Sequence, residues 1–143
     1  LDNTEVFVRL IDGDYPPYEK IIPEDFSIEV TLNGQELEQE LKRAFILARE
    51  ASNIVKLNLK DDQLIISTQS PTQGEYKGVI QTNFEGSVDE EIAFNTTYLL
   101  DMLSSVKPEE IVFAMNESLK PAMFKVETEP NFKYVVMPFR LNE

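Results

Sequence analysis

The sequence contains no cysteine, no histidine and no tryptophan, and it has only 5 glycines in 143 residues. Without cysteine the chain can form no disulfide and has no thiol nucleophile, and without histidine it lacks the usual general base of hydrolases. A zinc site would need carboxylate ligands alone, which is unusual. No glycine-rich phosphate-binding loop is present either. We therefore expect no metal site and no cofactor.

Long hydrophobic runs are also missing. No apolar stretch approaches the roughly 20 residues that cross a bilayer, and no secretory leader opens the chain. With 42% hydrophobic and 27% charged residues, the composition is typical of one folded globular domain. We expect a cytoplasmic protein without membrane association.

Basic residues are scarce. Thirteen Lys and Arg stand against 26 Asp and Glu, so the net charge is −13. Such a surface repels a phosphate backbone at long range, which disfavours DNA binding by electrostatic capture. Any nucleic-acid role must rest on something other than net charge, and the simpler interpretation of the acidic surface is solubility.

Hydrophobic periodicity predicts a strand followed by a helix in the first half. Ile28, Val30 and Leu32 alternate in "SIEVTL", as in a half-buried strand, and Asn33 is a suitable helix N-cap. The segment "GQELEQELKRAFILARE" carries one apolar helical stripe, and "IVKLNL", "QLIIST" and "EYKGVIQTNF" then predict three strands.

The pattern restarts in the second half. "EIAFNTTYLLDMLSSV" again predicts a strand, an Asn cap and a helix, and "EEIVFAMN", "PAMFKVET" and "FKYVVMPFRL" predict three more strands. The fold class is therefore α+β, with an internally duplicated β-α-β-β-β unit and two helices packed on two antiparallel sheets. At a shift of 62 positions the matching pairs are Val30 with Ile92, Leu32 with Phe94, Asn33 with Asn95, Leu37 with Leu99, and Leu41 with Leu103.

The two ends of the chain lie outside the repeat. "TEVFVRLI" predicts a strand, and the Pro-Pro pair in "DGDYPPYEK" is typical of a stiff linker. We interpret residues 1–18 as the last strand of a preceding domain with its linker, and residues 19–143 as the domain itself. The apolar finish "KYVVMPFRLNE" predicts either a core strand or a docking edge, because Val136 can face the core while Val135 and Met137 face outward.

Two groups of charged residues allow competing interpretations. Carboxylates cluster at Asp12 and Asp14, at Asp61 and Asp62, and at 89–91, so a carboxylate-pair hydrolase is one hypothesis, although turns explain the same residues. Lys42, Arg43 and Arg49 lie on the first predicted helix beside three glutamates, which indicates a solvated face at least as well as a DNA-facing one.

The segment "RLIDGDYPPYEKIIP", the duplicated unit and the closing "YVVMPFRL" together resemble the last domain of the bacterial DNA polymerase III β subunit, the sliding clamp. The resemblance runs from about Val6 to Leu141. It implies the DNA-clamp fold, with three such domains per chain and two chains closed into a ring around duplex DNA. It also implies a non-catalytic processivity factor whose helices line the hole, so that Lys42, Arg43 and Arg49 face DNA.

The resemblance further implies an apolar groove for peptides of replicative and repair polymerases, the clamp loader and other proteins with a clamp-binding motif. A free-standing peptide-binding module unrelated to DNA is the alternative. The residues implied for the groove are Pro16, Lys20, Ile21, Asn95, Tyr98, Met123, Val135, Val136, Met137, Pro138, Phe139 and Arg140.

Overall fold

The computed structural model describes residues 5–15, 17–50, 52–85, 88 and 91–140. Two helices and eight strands follow a short 3-10 turn at Tyr18–Lys20. Within the described residues no helix is both long enough and apolar enough to cross a membrane. The elements in chain order are β1 (Ile28–Asn33), α1 (Gly34–Ala48), β2 (Ile54–Lys60), β3 (Gln63–Ser70), β4 (Gly74–Gln81), β5 (Ile92–Asn95), α2 (Thr96–Val106), β6 (Glu110–Met115), β7 (Ala122–Lys125) and β8 (Lys133–Val136).

The strands form two antiparallel sheets that exchange their first strands. The strand order is β1-β6-β7-β8 in the first sheet and β4-β3-β2-β5 in the second. Each half of the chain therefore supplies three strands to one sheet and one strand to the other. Because β1 pairs with β6 and β5 pairs with β2, the halves are joined by two backbone ladders. This arrangement confirms the predicted α+β fold with an internal duplication.

Both helices begin with an asparagine cap. Asn33 caps α1 by accepting a hydrogen bond from the Glu36 amide at 3.0 Å, and Asn95 caps α2 by accepting one from the Thr97 amide at 2.9 Å. Each side chain satisfies an amide that the first helical turn leaves without a partner.

The first residue of each helix also bonds the other half of the chain. The Gly34 amide donates to the Glu109 carbonyl at 2.8 Å, and the Thr96 amide donates to the Asn53 carbonyl at 2.7 Å. Gly34 and Thr96 occupy equivalent positions of the repeat, so the structure bears out the 62-residue register at the level of single hydrogen bonds.

A cluster of three phenylalanines lies at the centre of the core. Phe94, Phe113 and Phe124 are fully buried, with ring centroids 5.0 to 6.5 Å apart. They come from β5, β6 and β7, and therefore from both sheets. The helices cover them with apolar stripes that include Leu37 and Leu41 of α1 and Leu99 and Leu103 of α2. These are the stripes that the periodicity predicts.

The chain ends differ from the prediction. No strand forms in residues 5–15, where Phe7 is 89% exposed and Ile11 is 96% exposed. An extended segment becomes a strand only when its backbone groups find a partner, so "TEVFVRLI" as the last strand of a preceding domain stays a prediction. The last strand also ends at Val136 rather than Leu141, two residues before Pro138, which has no amide to donate. Residues 141–143 lie outside the described residues.

Gly34 provides a test of how tightly the two halves pack. A Cβ at this position would lie 2.1 Å from the Pro108 carbonyl oxygen. Since the obstacle is backbone, we expect Gly34→Ala to lower the free energy of unfolding by about 1–3 kcal/mol in urea denaturation. The neighbouring exposed Gln35→Ala is the control and should change stability by less than about 0.5 kcal/mol. Equal midpoints for the two variants would contradict the close packing.

Candidate partner-binding surface

The C-terminal segment crosses from one sheet to the other. Its strand β8 pairs with β7 in the first sheet, with Val136 opposite Ala122. Beyond Pro138, the Phe139 amide donates to the Ala93 carbonyl of β5 at 2.7 Å, in the second sheet. The apolar C-terminal segment is therefore held by backbone pairing on both sides of Pro138, at Val136 and at Phe139.

Tyr134 joins this segment to helix α2. Its hydroxyl donates to the Tyr98 carbonyl at 3.1 Å. Burial raises the pKa of Tyr134 above its usual value, and the neighbouring charge of Asp101 and the Tyr98 side chain raise it further. The protonated hydroxyl is the form that donates this bond, so β8 and α2 are held together by a neutral tyrosine.

Four large apolar side chains named from the sequence remain exposed. Met137 is 59% exposed, Phe139 45%, Tyr98 55% and Ile21 48%. Val135 and Pro138 are half-buried and Arg140 is exposed. Exposed apolar side chains that lie together are typical of a protein interaction site, whereas scattered ones carry no such meaning.

Backbone pairing brings several of these residues to the same end of the domain. Asn95 lies two residues beyond Ala93 on β5, and the antiparallel bridge between Ala93 and Phe139 directs Met137 toward Asn95. Tyr98 follows one helical turn later and holds Tyr134. Asn95, Tyr98, Met137 and Phe139 therefore form one candidate surface where β5, α2 and the C-terminal segment meet. We call these four residues the crossing surface.

Met123 and Val136 have a different environment from the crossing surface. Val136 is only 5% exposed and belongs to the hydrophobic core, so its side chain does not line an exposed groove. Its inclusion among the groove residues is corrected, because alternation along β8 turns it inward. Met123 pairs directly with Val135, so the two side chains lie side by side on the face opposite to that of Val136. Met123 is only 4% exposed and therefore offers little free surface.

In the part of the chain that the structure describes, the linker residues Lys20 and Ile21 are not joined to the crossing surface by hydrogen bonds. Lys20 ends the 3-10 turn and Ile21 follows it, both bonded through their amides to Pro17 and Tyr18 carbonyls at 3.0 and 2.9 Å. Both side chains are exposed. Among the described residues no hydrogen bond joins them to the crossing surface. Pro16 lies outside the described residues.

The basic residues of α1 are partly engaged by glutamates. Lys42 forms an ion pair with Glu38 at 2.7 Å, and both side chains are partly exposed. Arg43 pairs with Glu40, which also accepts a hydrogen bond from the Tyr76 hydroxyl. Burial, followed by the hydrogen bond to Glu40, raises the pKa of Tyr76.

Arg49, in contrast, is exposed at the C-terminal end of α1, and no ion pair holds it in the part of the chain that the structure describes. Of the three basic residues, Arg43 is therefore the one whose side chain is most engaged in contacts within the domain.

The carboxylates that the structure describes do not come together in one site. Asp61 and Asp62 form the exposed two-residue turn between β2 and β3, and both have positive φ, at 49° and 62°. Positive φ at both positions is typical of a tight hairpin turn. Glu91 forms an ion pair with Lys56, while Asp89 and Glu90 lie outside the described residues. Within the described ranges no cluster of three carboxylates could hold a metal ion.

Tyr134 and Ala93 are the residues of this region that the sequence did not reveal. Alternation along "FKYVV" places Tyr134 on the inward face with Phe132 and Val136, and a buried tyrosine hydroxyl requires a partner. That signal predicts a hydrogen bond but not its acceptor. Ala93 has no signal of its own, because its role depends on its backbone carbonyl.

Two helices on two four-stranded antiparallel sheets, with an internal repeat and exchanged first strands, define a duplicated clamp domain. The chain belongs to the family of the DNA polymerase III beta subunit, whose C-terminal domain model matches residues 19–140. This assignment confirms the resemblance seen in the sequence. Since the family is that of a non-catalytic polymerase subunit, it also bears out the prediction that the chain is not an enzyme.

Individual relatives agree with this assignment. The chain is 31% identical to the beta sliding clamp of Haemophilus influenzae, over 99% of this chain and 38% of the relative. The solved beta subunit of Thermotoga maritima superposes with a TM-score of 0.85 at 31% identity, covering 94% of this chain and 36% of that one. A sliding clamp of Pseudomonas aeruginosa gives a TM-score of 0.84 at 32% identity, covering 93% and 36%. The chain thus spans less than two fifths of each relative.

The link between Tyr134 and α2 gives a prediction about pH. Because the folded state raises the pKa of Tyr134, the unfolded chain loses the phenolic proton first, so stability is full below pH about 10 and falls above it. We expect Tyr134→Phe to lower stability at neutral pH by about 0.5–1.5 kcal/mol, through the lost hydrogen bond.

The same variant should lose less additional stability between pH 9 and pH 11 than the parent protein. Urea denaturation at several pH values measures both effects. Tyr76→Phe is a useful comparison, because it removes another tyrosine whose pKa is raised and leaves the hydrogen bond between Tyr134 and α2 intact. An identical alkaline slope for the parent and Tyr134→Phe would contradict the assignment.

Proposed function

We propose that this chain is the C-terminal domain of a sliding clamp, which docks short peptides of replicative and repair polymerases, the clamp loader and other proteins with a clamp-binding motif. The observation that carries the docking proposal is the crossing surface. Met137 and Phe139 are exposed although the backbone on both sides of them is fixed. A fixed backbone with exposed apolar side chains binds a peptide without first being ordered, which reduces the entropic cost of association.

The chemistry of the crossing surface fits a short apolar peptide. Met137 is flexible and polarisable, so it adapts to Leu or Phe side chains of different partners. Pro138 leaves one backbone position without a donor, and Asn95 and Tyr98 add polar groups beside the apolar ones. Val135, Lys20, Ile21 and Arg140 complete the proposed groove. In a full-length protein, residues 1–18 are the linker and last strand of the preceding domain, which supplies its other wall.

We also propose that the full-length protein is a homodimeric ring around duplex DNA, and that this domain contributes α1 and α2 to its inner surface. Topological enclosure agrees with the net charge of −13, because a closed ring stays on DNA without strong attraction to phosphates. Lys42 and Arg49 are the stronger candidates for contact with DNA, since Arg43 is held by Glu40 against Tyr76.

Met137→Ala tests the docking surface. A labelled peptide with Gln followed by Leu and Phe should bind the chain with Kd of roughly 10–1000 μM, because part of the groove is contributed by another domain. We expect Met137→Ala to weaken this binding by about 1 kcal/mol or more in fluorescence polarisation. The melting temperature should hardly change, because an exposed side chain leaves no internal cavity when it is shortened.

Val136→Ala is the matched control one residue away. Its side chain is buried in the core, so we expect a loss of about 2 kcal/mol in stability with peptide affinity nearly retained. The two neighbours should therefore give opposite results. A large fall in melting temperature for Met137→Ala with intact peptide affinity would show that the terminus is ordinary core.

Ring formation has a separate test. We expect a protein in which this chain follows two further domains of similar size to remain on nicked circular plasmid after loading, and to leave when the plasmid is linearised. The chain alone should not be retained on either form, because one domain cannot enclose a duplex. Retention of the chain alone on circular and linear DNA would indicate direct binding and would contradict enclosure. Gel filtration of loaded plasmid measures the retained fraction.

A further inference from the structure

The outward face of the second sheet carries a row of residues that begins at the crossing surface. Phe139 pairs with Ala93, and Ala93 pairs with Lys56 of β2. Lys56 pairs with Ser67 of β3, and Ser67 pairs with Lys77 of β4. Directly opposite residues of an antiparallel sheet point to the same face, so Phe139 and the two lysines share one side of the sheet.

The burial pattern confirms which side this is. Along β2, Lys56 and Asn58 are half-buried while Val55 and Leu57 are fully buried. The row therefore lies on the face turned away from the core. Ser67, the small residue in its middle, is only partly covered.

Two clefts open along this row. One, of about 470 Å³, is lined in part by Lys60, Ser67 and Lys77, and the other, of about 230 Å³, is lined in part by Lys56, Ser67 and Glu91. Since both clefts include Ser67 and Glu91, they form one continuous depression across the strands. A small hydroxyl residue between two lysines leaves room for a chain to lie over the sheet.

The charges of the depression differ from those of the molecule as a whole. Lys60 and Lys77 are exposed and form no ion pair with any residue that the structure describes. Lys56 holds Glu91 at 2.8 Å, with both side chains about two fifths exposed. Glu75 is the other acidic residue in the depression. Among the described residues that line the two clefts, three lysines stand against two glutamates, which is a local excess of positive charge on a chain of net charge −13.

We propose that this face binds an acidic segment that flanks the apolar motif of a docked partner peptide. The proposal rests on the docking function assigned above to the crossing surface. The apolar residues of the peptide contact Met137 and Phe139. The acidic flank then crosses β5, β2, β3 and β4 and passes over Lys56 and Lys77. The acidic surface elsewhere repels such a flank, so the lysine row favours one direction of approach.

The spacing of the sheet gives the position of the acidic residues. Adjacent strands lie about 4.8 Å apart, so Lys56 is about 10 Å and Lys77 about 19 Å from Phe139 along the row. A peptide in the polyproline II conformation advances about 3.1 Å per residue and turns every third side chain to the same face. The favoured acidic positions are therefore about three and about six residues from the apolar side chain that contacts Phe139.

The test compares three labelled peptides on the full chain by fluorescence polarisation. They share one Gln-Leu-Phe motif and differ only in a six-residue flank that carries Glu, Ser or Lys at the third and sixth positions. We expect the Glu flank to bind about threefold to tenfold more tightly than the Ser flank in low salt, and the Lys flank to bind more weakly. The advantage of the Glu flank should disappear in roughly 0.5 M salt, because the ionic strength then exceeds the physiological value and screens exposed charges more strongly.

Variants of the lysine row separate this effect from general charge. Lys56→Gln with Lys77→Gln should abolish the advantage of the Glu flank and leave the Ser-flank affinity unchanged. Lys120→Gln, on the β6–β7 connection, is the matched control and should retain the advantage. Glu91→Gln frees Lys56 from its ion pair, so it should tighten binding of the Glu flank further.

Each outcome decides between the two proposals. Equal affinity for the Glu and Ser flanks overturns the acidic subsite and leaves the docking function standing. Absence of binding by all three peptides overturns both. Competition by a short duplex DNA that removes the Glu-flank advantage at equal charge concentration would assign the lysines to nucleic acid and would also overturn the subsite.

Discussion

The exchange of first strands between the two sheets is the interaction on which the rest of the structure depends. Since β1 completes the sheet of the second half and β5 completes that of the first, neither half can close its own sheet. Because β5 joins the second sheet, Phe94 contacts Phe113 and Phe124 of the first sheet across the core, and the aromatic cluster connects the two sheets. We therefore expect the domain to unfold as one cooperative unit despite its internal duplication.

The duplication is nearly symmetric in its backbone and asymmetric in its surfaces. Equivalent asparagines cap both helices, and equivalent amides bond across the halves. At the end of the second half the chain crosses to β5 and exposes Met137 and Phe139. In the first half the corresponding connection after β4 instead places Asn83 against the Thr31 amide at 3.3 Å. The first half of the repeat thus ends in a polar hydrogen bond, while the second half ends in an exposed apolar surface.

The distribution of charge follows the same division of roles. Glutamates beside Lys42 and Arg43 moderate the basic character of α1. The lysines of the outer face are opposed by fewer carboxylates and lie in line with Phe139. Under the proposal above, this lysine row lets the domain discriminate among apolar partner peptides by the charge of the residues that flank their motif.

The sequence by itself determined the two helices, the order of the strands and the register of the repeat, because apolar periodicity and the asparagine caps are local signals. It also determined the class of protein, through "YVVMPFRL" and the Pro-Pro linker. It could not determine the exchange of strands or the absence of a strand in residues 5–15, because strand pairing depends on which sheet edge is available. Alternation along the sequence already pointed Val136 toward the core and Met137 outward, but only the tertiary structure joined Phe139 to Ala93. That bridge joins residues more than 40 positions apart, and no local pattern encodes it.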